Sequence, residues 1–372
     1  MASTIFSSCS SSTATARLPK FDTIRRSGSV HLRPPPAFLS FKPRNPDGFG
    51  ASISMQRRSS NSSITAAAMS MSTRFPRVKL NGNAVAEEIG DEITDEVMRM
   101  KDAIGVTPML AVIIVGEKNH SPVHLENKLK ACEAAGIKTD VVRLPEDSSE
   151  EEVLDCISRF NEESSVHGIH IQLPLPRHMD KEEILNAVGV EKDVDGFSSI
   201  KTRDQEPPFL FPSVIPCTAR GCIRLLHESD IRIKGTSVVV IGNGTDTDIV
   251  APAAAYLLQR HGAKVTVVHR GTENLKEIIR QADILISAAE RAYLVRARWI
   301  KPGTIVIDTG NNIMKSPLGS GSSYRFVGDV CYEEPYEWAS VITPAPGGVE
   351  SMTTAMLLSN TLLMAKRALK FE

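Results

Sequence analysis

No apolar stretch in this chain of 372 residues approaches the roughly 18 residues that a membrane-crossing helix requires, so no spanning segment is expected. An excess of one charge is missing as well. The 43 lysines and arginines are matched by 44 aspartates and glutamates, and a formal charge of −1 offers no basic field to a polyanion. Neither a membrane nor a nucleic acid is therefore an expected partner. Cysteine is scarce and scattered. Cys9, Cys132, Cys156, Cys217, Cys222 and Cys331 show neither metal-ligand nor paired spacing, which argues for reduced, mostly buried thiols, with no disulfide and no metal site. What is present, 41% hydrophobic residues over this length, suits a globular chain with room for two domains.

Residues 1–70 stand apart from the rest. The opening "MASTIFSSCSSSTATARLPKFDTIRRSGS" is rich in Ser, Thr and Ala, and the first 70 residues hold nine basic residues against only Asp22 and Asp47. Such a composition supplies no packed core and reads as an organelle transit peptide. Its hydroxyl richness favours the plastid, with the stroma as the destination of the processed protein. The remainder carries 34 basic and 42 acidic residues, a formal charge of −8.

From about Arg77 the chain alternates strand and helix patterns, the signature of parallel sheets with crossover helices, and the fold class is α/β with two lobes. "MLAVIIVG", "TDVVRLP" and "HGIHIQLPLP" read as strands of a first lobe over 77–212, separated by the helices "SPVHLENKLKACEAAG" and "SEEEVLDCISRFNEE". The proline-rich "EPPFLFPSVIPCT" marks a boundary. Beyond it, "SVVVIG", "KVTVVHR", "DILISAA" and "TIVIDTG" predict a Rossmann-type sheet over 213–345. The last segment, 346–372, predicts a long amphipathic helix with no strand after it, which should pack back on the first lobe.

Ligands meet parallel sheets at the carboxyl ends of strands. Just after "VIIVG", Ser121 can cap a helix with Pro122 in its first turn, and Ser121, His124 and Lys128 share one face while Leu125, Leu129 and Cys132 form the adjoining apolar stripe. Gln172 interrupts the apolar "IHIQLPLP", and Asp195 lies beside a glycine in "EKDVDGF".

These segments carry a resemblance that runs from Lys79 to the C-terminus. "VGEKNHSPVHLENKLKACEAAGI", "VHGIHIQLPLP", "EKDVDGF", "IPCTARGC", "WIKPGTIVIDTG", "VGDVCYEE" and "TPAPGGVESMTTAMLL" resemble, in order, the bifunctional methylenetetrahydrofolate dehydrogenase/methenyltetrahydrofolate cyclohydrolase (FolD) family, in its plant plastid type. The resemblance implies a homodimer in which the first lobe binds the folate substrate and the second binds NADP. It implies a catalytic Lys128, a partner glutamine at Gln172, a pterin-binding Asp195, and substrate contacts at Gly347 and Gly348. The cofactor set it implies comprises Gly242, Asn243, Gly244, Thr218 and Asn311. The chemistry suits these types. A lysine in a desolvated cleft can take and give a proton, a neutral amide can hold it, and a carboxylate can accept hydrogen bonds from pterin N–H groups.

Several positions depart from the family pattern. His124 stands where the family usually has tyrosine, so it joins the catalytic candidates as a ring able to carry charge. Glu350 and Ser351 follow Val349 where Gly-Pro is usual, and Glu350 either faces solvent or adds a carboxylate beside the folate pocket. The cofactor turn, "GNGTDTDIV", is about three residues longer than usual and has Asn243 in place of an arginine. Asp246 and Asp248 put negative charge near an expected pyrophosphate unless the longer loop turns them to water. Arg270, at the end of the next strand, restores a cation suited to a 2′-phosphate. "SAAERA" has Glu290, Arg291 and Ala292 in place of Gly-Gln-Pro, and Asn311 replaces an isoleucine.

The leading expectation is an enzyme that interconverts 5,10-methylene-, 5,10-methenyl- and 10-formyltetrahydrofolate by NADP-dependent oxidation and cyclohydrolysis. Two alternatives stay open: a divergent paralogue with mainly cyclohydrolase activity, and a non-catalytic partner of an active relative.

Overall fold

Seven consecutive apolar residues, Met109–Val115, form the strand β2, which is buried on both faces at the centre of the first lobe. The computed structural model describes residues 78–116, 122–198, 214–245, 248–315, 324–332, 339–344 and 348–372. The segment 1–70, Ser121, Asp246 and Gly347 lie outside the described residues. Strand β2 pairs in parallel with β3, Lys138–Leu144, and with β4, Gly168–Ile171, giving the order β3-β2-β4.

Side chains of a strand alternate between faces, and β2 uses both. Leu110, Val112 and Ile114 share a core with α1, Gly82–Ile104, and α2, Pro122–Ala134. Ala111, Ile113 and Val115 share another with α3, Glu150–Glu162, and α4, Lys181–Ala187. Helix α1 presents Ile89, Ile93, Val97 and Met100 as one buried stripe. Its ends are set by the Asn81 side chain, which accepts from Ala84 N, and by Gly105 in a left-handed conformation with φ 72°. Helix α3 starts at a reciprocal capping box between Ser149 and Glu152.

The second sheet has six parallel strands. They are β1, Val78–Lys79; β5, Ser237–Gly242; β6, Lys264–His269; β7, Ile284–Ser287; β8, Thr304–Asp308; and β11, Ala339–Ile342. Their order is β1-β11-β8-β7-β5-β6. Helices α5, Cys217–Glu228, α6, Val250–Arg260, and α7, Leu275–Ile279, cover it. The short strands β9, Asn312–Lys315, and β10, Tyr324–Val327, form an antiparallel ribbon. The final helix α8, Glu350–Ala368, returns to the first lobe, where Met352, Met356, Leu358 and Leu362 enter the core built on α1 and β2.

The two edges of the second sheet were not legible from the sequence. Strand β1 pairs with β11 of the second sheet, although it precedes the first lobe in the chain, because β11 otherwise ends that sheet with free backbone groups. Strand β6 is the opposite edge, and its Val267 is 51% exposed.

Truncating Ile113, which is fully buried between β2 and α3, tests the first-lobe core. Ile113→Ala should lower the unfolding free energy by about 2–5 kcal/mol in a denaturant titration.

Candidate active site

The carboxyl ends of β2 and β4 meet helix α2, and a chain of polar side chains runs through their junction. Lys128 Nζ donates to Gln172 Oε1 at 2.9 Å and lies 2.7 Å from His170 Nε2. His170 Nδ1 lies 2.6 Å from Asp195 Oδ2. The donors follow from valence. An ionised Asp195 can only accept, so Nδ1 of His170 carries the hydrogen and Nε2 offers its lone pair to Lys128. The Gln172 amide is oriented by its other end, since Nε2 donates to Leu173 O at 2.9 Å and leaves Oε1 for the lysine.

Local sequence explains these placements. His170 and Gln172 are two residues apart on an extended segment, hence on one side, and Gln172 N continues the ladder by donating to Ile113 O. Asp195 is carried by the loop that Asp193 folds. The buried Asp193 carboxylate accepts from Gly196 N at 2.8 Å and Ser198 N at 2.6 Å. Gly196 has φ 83°, and a Cβ there would lie 2.7 Å from Pro216 N, so only glycine fits. Asn360 of α8, itself buried, donates to Val194 O and pins the same loop.

Burial pulls the Lys128 ammonium well below the usual lysine range, with the Asp195 carboxylate partly opposing it. Lys128, Gln172 and Asp195 are thus brought to one junction, with His170 between the lysine and the aspartate. His170 was missed. The only available signal was its two-residue spacing from Gln172 in an otherwise apolar strand.

His124 lies one turn before Lys128 on α2, and it has found a partner. Its Nδ1 is 3.3 Å from Glu350 Oε2 in the first turn of α8, and its ring stands edge-on to Phe326 of β10 at 5.1 Å. The two departures from the family pattern are therefore one contact. Burial pushes the Glu350 carboxyl up and His124 opposes that shift. Gly348 N donates to Pro344 O at 2.7 Å, and a Cβ on Gly348 would strike that same oxygen.

In the second lobe the chain departs from β5 and β7 in opposite directions, and the point between those strand ends is the usual ligand position of such sheets. Gly242 and Gly244 lie beside it. A Cβ on Gly242 would clash with Asp248 Oδ2, and Gly244 adopts φ 76° with His269 against it. Asp248 corrects the expectation set for it. Its carboxylate is buried, with Oδ2 accepting from Asn243 N at 3.0 Å and Oδ1 from Ala251 N at 3.1 Å, so it closes the turn onto α6. It neither points to water nor stands free before an anion, because those backbone N–H groups need an acceptor and Asp248 supplies one. The Asn243 side chain is also spent inside the turn, where Oδ1 accepts from Thr245 N and Oγ1.

Arg270 is exposed at the end of β6, and its N–H donates to Gly242 O, which sets it beside the turn. Asn311 is exposed after β8, while Thr218 lies at the contact of α5 with α8, accepting from Thr353 Oγ1. Two residues not singled out from sequence organise this end. Asp329 accepts from Ser287 Oγ, Ala289 N, Arg291 N and Asn312 Nδ2, and Asp308 accepts from Gly310 N, Asp329 N and Val330 N. Burial and the neighbouring Asp329 push the Asp308 carboxyl up to about 7. Glu290 has φ 51°, a left-handed conformation that a glycine would adopt without steric cost.

Comparison with known proteins gives one consistent answer. The family model for the tetrahydrofolate dehydrogenase/cyclohydrolase catalytic domain matches residues 80–195, and that for its NAD(P)-binding domain matches residues 216–369. The chain is 49% identical over 377 residues to the chloroplastic bifunctional protein FolD 4 of Arabidopsis thaliana, covering all of both chains. It is 46% identical to the mitochondrial bifunctional protein FolD 1 of the same plant, covering 80% of this chain and 84% of that one. Among solved structures it resembles the methylenetetrahydrofolate dehydrogenase-cyclohydrolase of Trypanosoma brucei, crystallised with NADP and an inhibitor. That match has a TM-score of 0.70 at 39% identity and covers 79% of this chain and 99% of that one.

The buried amine gives a testable pH signature. A lysine whose folded pKa lies below its ordinary 10.5 binds fewer protons folded than unfolded between those two values, so its contribution to stability improves as pH rises through that window. The unfolding free energy of the wild type, measured relative to Lys128→Met, should therefore rise from neutral pH toward about 10.

Proposed function

The chain belongs to the tetrahydrofolate dehydrogenase/cyclohydrolase family and is a methylenetetrahydrofolate dehydrogenase and methenyltetrahydrofolate cyclohydrolase that uses NADP, and we propose that Lys128 is the proton-transferring group of its folate cleft. One observation carries the assignment: a part-buried amine whose hydrogen-bond partners, His170 and Gln172, bear no negative charge. Cyclohydrolysis adds water to the amidinium carbon of 5,10-methenyltetrahydrofolate and then opens the ring to 10-formyltetrahydrofolate. A deprotonated Lys128 takes a proton from the attacking water, and its ammonium returns one to the ring nitrogen that leaves. Gln172 aims the amine without favouring its charge. Asp195 accepts from the pterin N–H groups and fixes the carbon under attack, while His124 and Gly348 border the rest of the folate, and Gly347 is assigned a substrate contact by the family resemblance alone.

The residues of the second lobe fit NADP. Gly242 and Gly244 permit the tight turn after β5, where the Asp248 carboxylate and the His269 ring take the space a side chain would fill, and exposed Arg270 stands at the strand end where such folds read a 2′-phosphate. Bound there, NADP supplies the acceptor for a hydride from 5,10-methylenetetrahydrofolate. Asn243 would shape the turn, and Thr218 and Asn311 would border the nicotinamide side. A cyclohydrolase-dominant enzyme is a second reading, favoured by Asp248. Its carboxylate already occupies Asn243 N, just after β5, and Ala251 N, in the first turn of α6, donors that an anion would otherwise use.

The organisation we propose is a transit peptide over 1–70, a folate lobe over 77–212, an NADP lobe over 213–345 and a returning helix over 346–372. The processed protein would act in the plastid stroma, in keeping with the chloroplastic names of its relatives. We also propose a homodimer, supported by the edge position of β6 among the described residues, where Val267 is exposed.

Lys128→Met keeps an apolar stem and removes the amine, so hydrolysis of methenyltetrahydrofolate should fall by about 10²- to 10⁴-fold with the fold intact. Near-normal hydrolysis would remove Lys128 from the mechanism. Arg270→Ser should weaken NADP by about 1–3 kcal/mol in calorimetric titration and leave NAD almost unchanged. Equal losses for both cofactors would place Arg270 away from the 2′-phosphate.

A further inference from the structure

His170 is the one member of the buried polar chain with no role in the scheme above, and its two contacts are the shortest there. It lies 2.7 Å from Lys128 Nζ and 2.6 Å from Asp195 Oδ2, with its side chain 9% exposed. We propose that His170 is the proton store of the cyclohydrolase site, receiving through Nε2 the proton that Lys128 removes from water and holding it between the lysine amine and the Asp195 carboxylate. This rests on the assignment of Lys128 as the group that meets the substrate, and it makes His170 a positioning and relay residue acting through that lysine.

The step balances. The oxygen of water bonds to the amidinium carbon as the C=N π pair moves to nitrogen, and the released proton goes to Lys128 Nζ. It passes to His170 Nε2, so the amine is neutral again while an imidazolium sits against Asp195. When the carbon to ring-nitrogen bond breaks, the stored proton returns through Lys128 to that nitrogen. The hydroxyl of the adduct becomes the formyl carbonyl and its proton leaves to solvent, the single net proton of the reaction. No oxidant or reductant takes part.

Geometry favours storage at His170 over retention on the lysine. An ammonium buried at Lys128 has two neutral acceptors, Gln172 Oε1 and His170 Nε2, and no carboxylate in direct contact among the described residues. An imidazolium at His170 keeps Asp195 in direct contact through Nδ1–H, so the positive charge is compensated there. Other titratable groups near the amine are the Cys132 thiol on α2 and the Cys217 thiol at the start of α5, and burial pushes both thiols up, leaving them neutral.

The test compares His170→Leu and His170→Asn with the wild type, using methenyltetrahydrofolate as substrate. Rates are followed in mixtures of light and heavy water, with Lys128→Met in parallel. The expected result is a fall in kcat of about tenfold or more with KM changed less than about threefold, as for loss of proton-transfer assistance without loss of binding. The dependence of rate on deuterium fraction should be bowed in the wild type, where more than one proton moves, and straight in both His170 variants. His170→Asn guards against a leucine variant that does not fold. Unchanged kcat in the asparagine variant, or the same bowed dependence in variant and wild type, overturns the store while a dead Lys128→Met leaves the lysine assignment standing. Full hydrolysis by Lys128→Met would instead remove the reading on which the store depends.

Discussion

A primary amine drawn largely out of water must either be paired or lose its proton readily, and the first lobe is arranged around that constraint at the part-buried Lys128. Helix α2 brings the lysine to the mouth of a strand pair buried on both faces, so desolvation comes with the fold. The acceptors provided for it are a side-chain amide and an imidazole, which satisfy its N–H groups without drawing it back to the charged state. Each acceptor is itself held. Leu173 O fixes the Gln172 amide and Asp195 fixes the His170 ring. The loop that carries Asp195 is shaped in turn by Asp193, by the glycine conformation at Gly196 and by Asn360 arriving from the last helix. The chemistry of one nitrogen thus depends on elements from both ends of the lobe.

Backbone amides impose a parallel demand in the second lobe. The turn after β5 and the start of α6 present N–H groups that need acceptors, and Asp248 meets two of them from within the chain. Asp308 and Asp329 do the same for the loops after β7 and β8, collecting donors from Ala289, Arg291, Gly310 and Val330. Carboxylates here act as internal caps that shape these loops, and Arg270 stands as an exposed cation beside them. A nucleotide site can carry acids in this way because those acids are spent on backbone groups.

His124 and Glu350 show how two departures can offset one another. A histidine one turn from Lys128 would, if protonated, oppose a second positive charge on the lysine. A carboxylate 3.3 Å from its Nδ1 compensates that charge, and the half-buried carboxylate gains a partner in return. Both groups remain about a third exposed, so the pair is modest in strength. It nevertheless joins the cleft helix α2 to the first turn of α8.

The sequence by itself determined the α/β alternation, the two lobes and the returning helix, because apolar periodicity and turn residues are local properties. It also marked Lys128, Gln172 and Asp195, which sit in contiguous blocks of distinctive residues. Tertiary structure alone decided the rest. His170 is 42 residues from Lys128 and 25 from Asp195, and it becomes their bridge only because β4 lies beside β2. The direction of Asp248 depended on which backbone N–H groups the longer turn left without acceptors. Strand β1 joined the far sheet because its partner β11, more than 260 residues onward, ended that sheet with an open edge. Pairings across such distances follow from which surfaces and hydrogen-bonding groups the folded elements leave uncovered, and no local pattern in the chain encodes them.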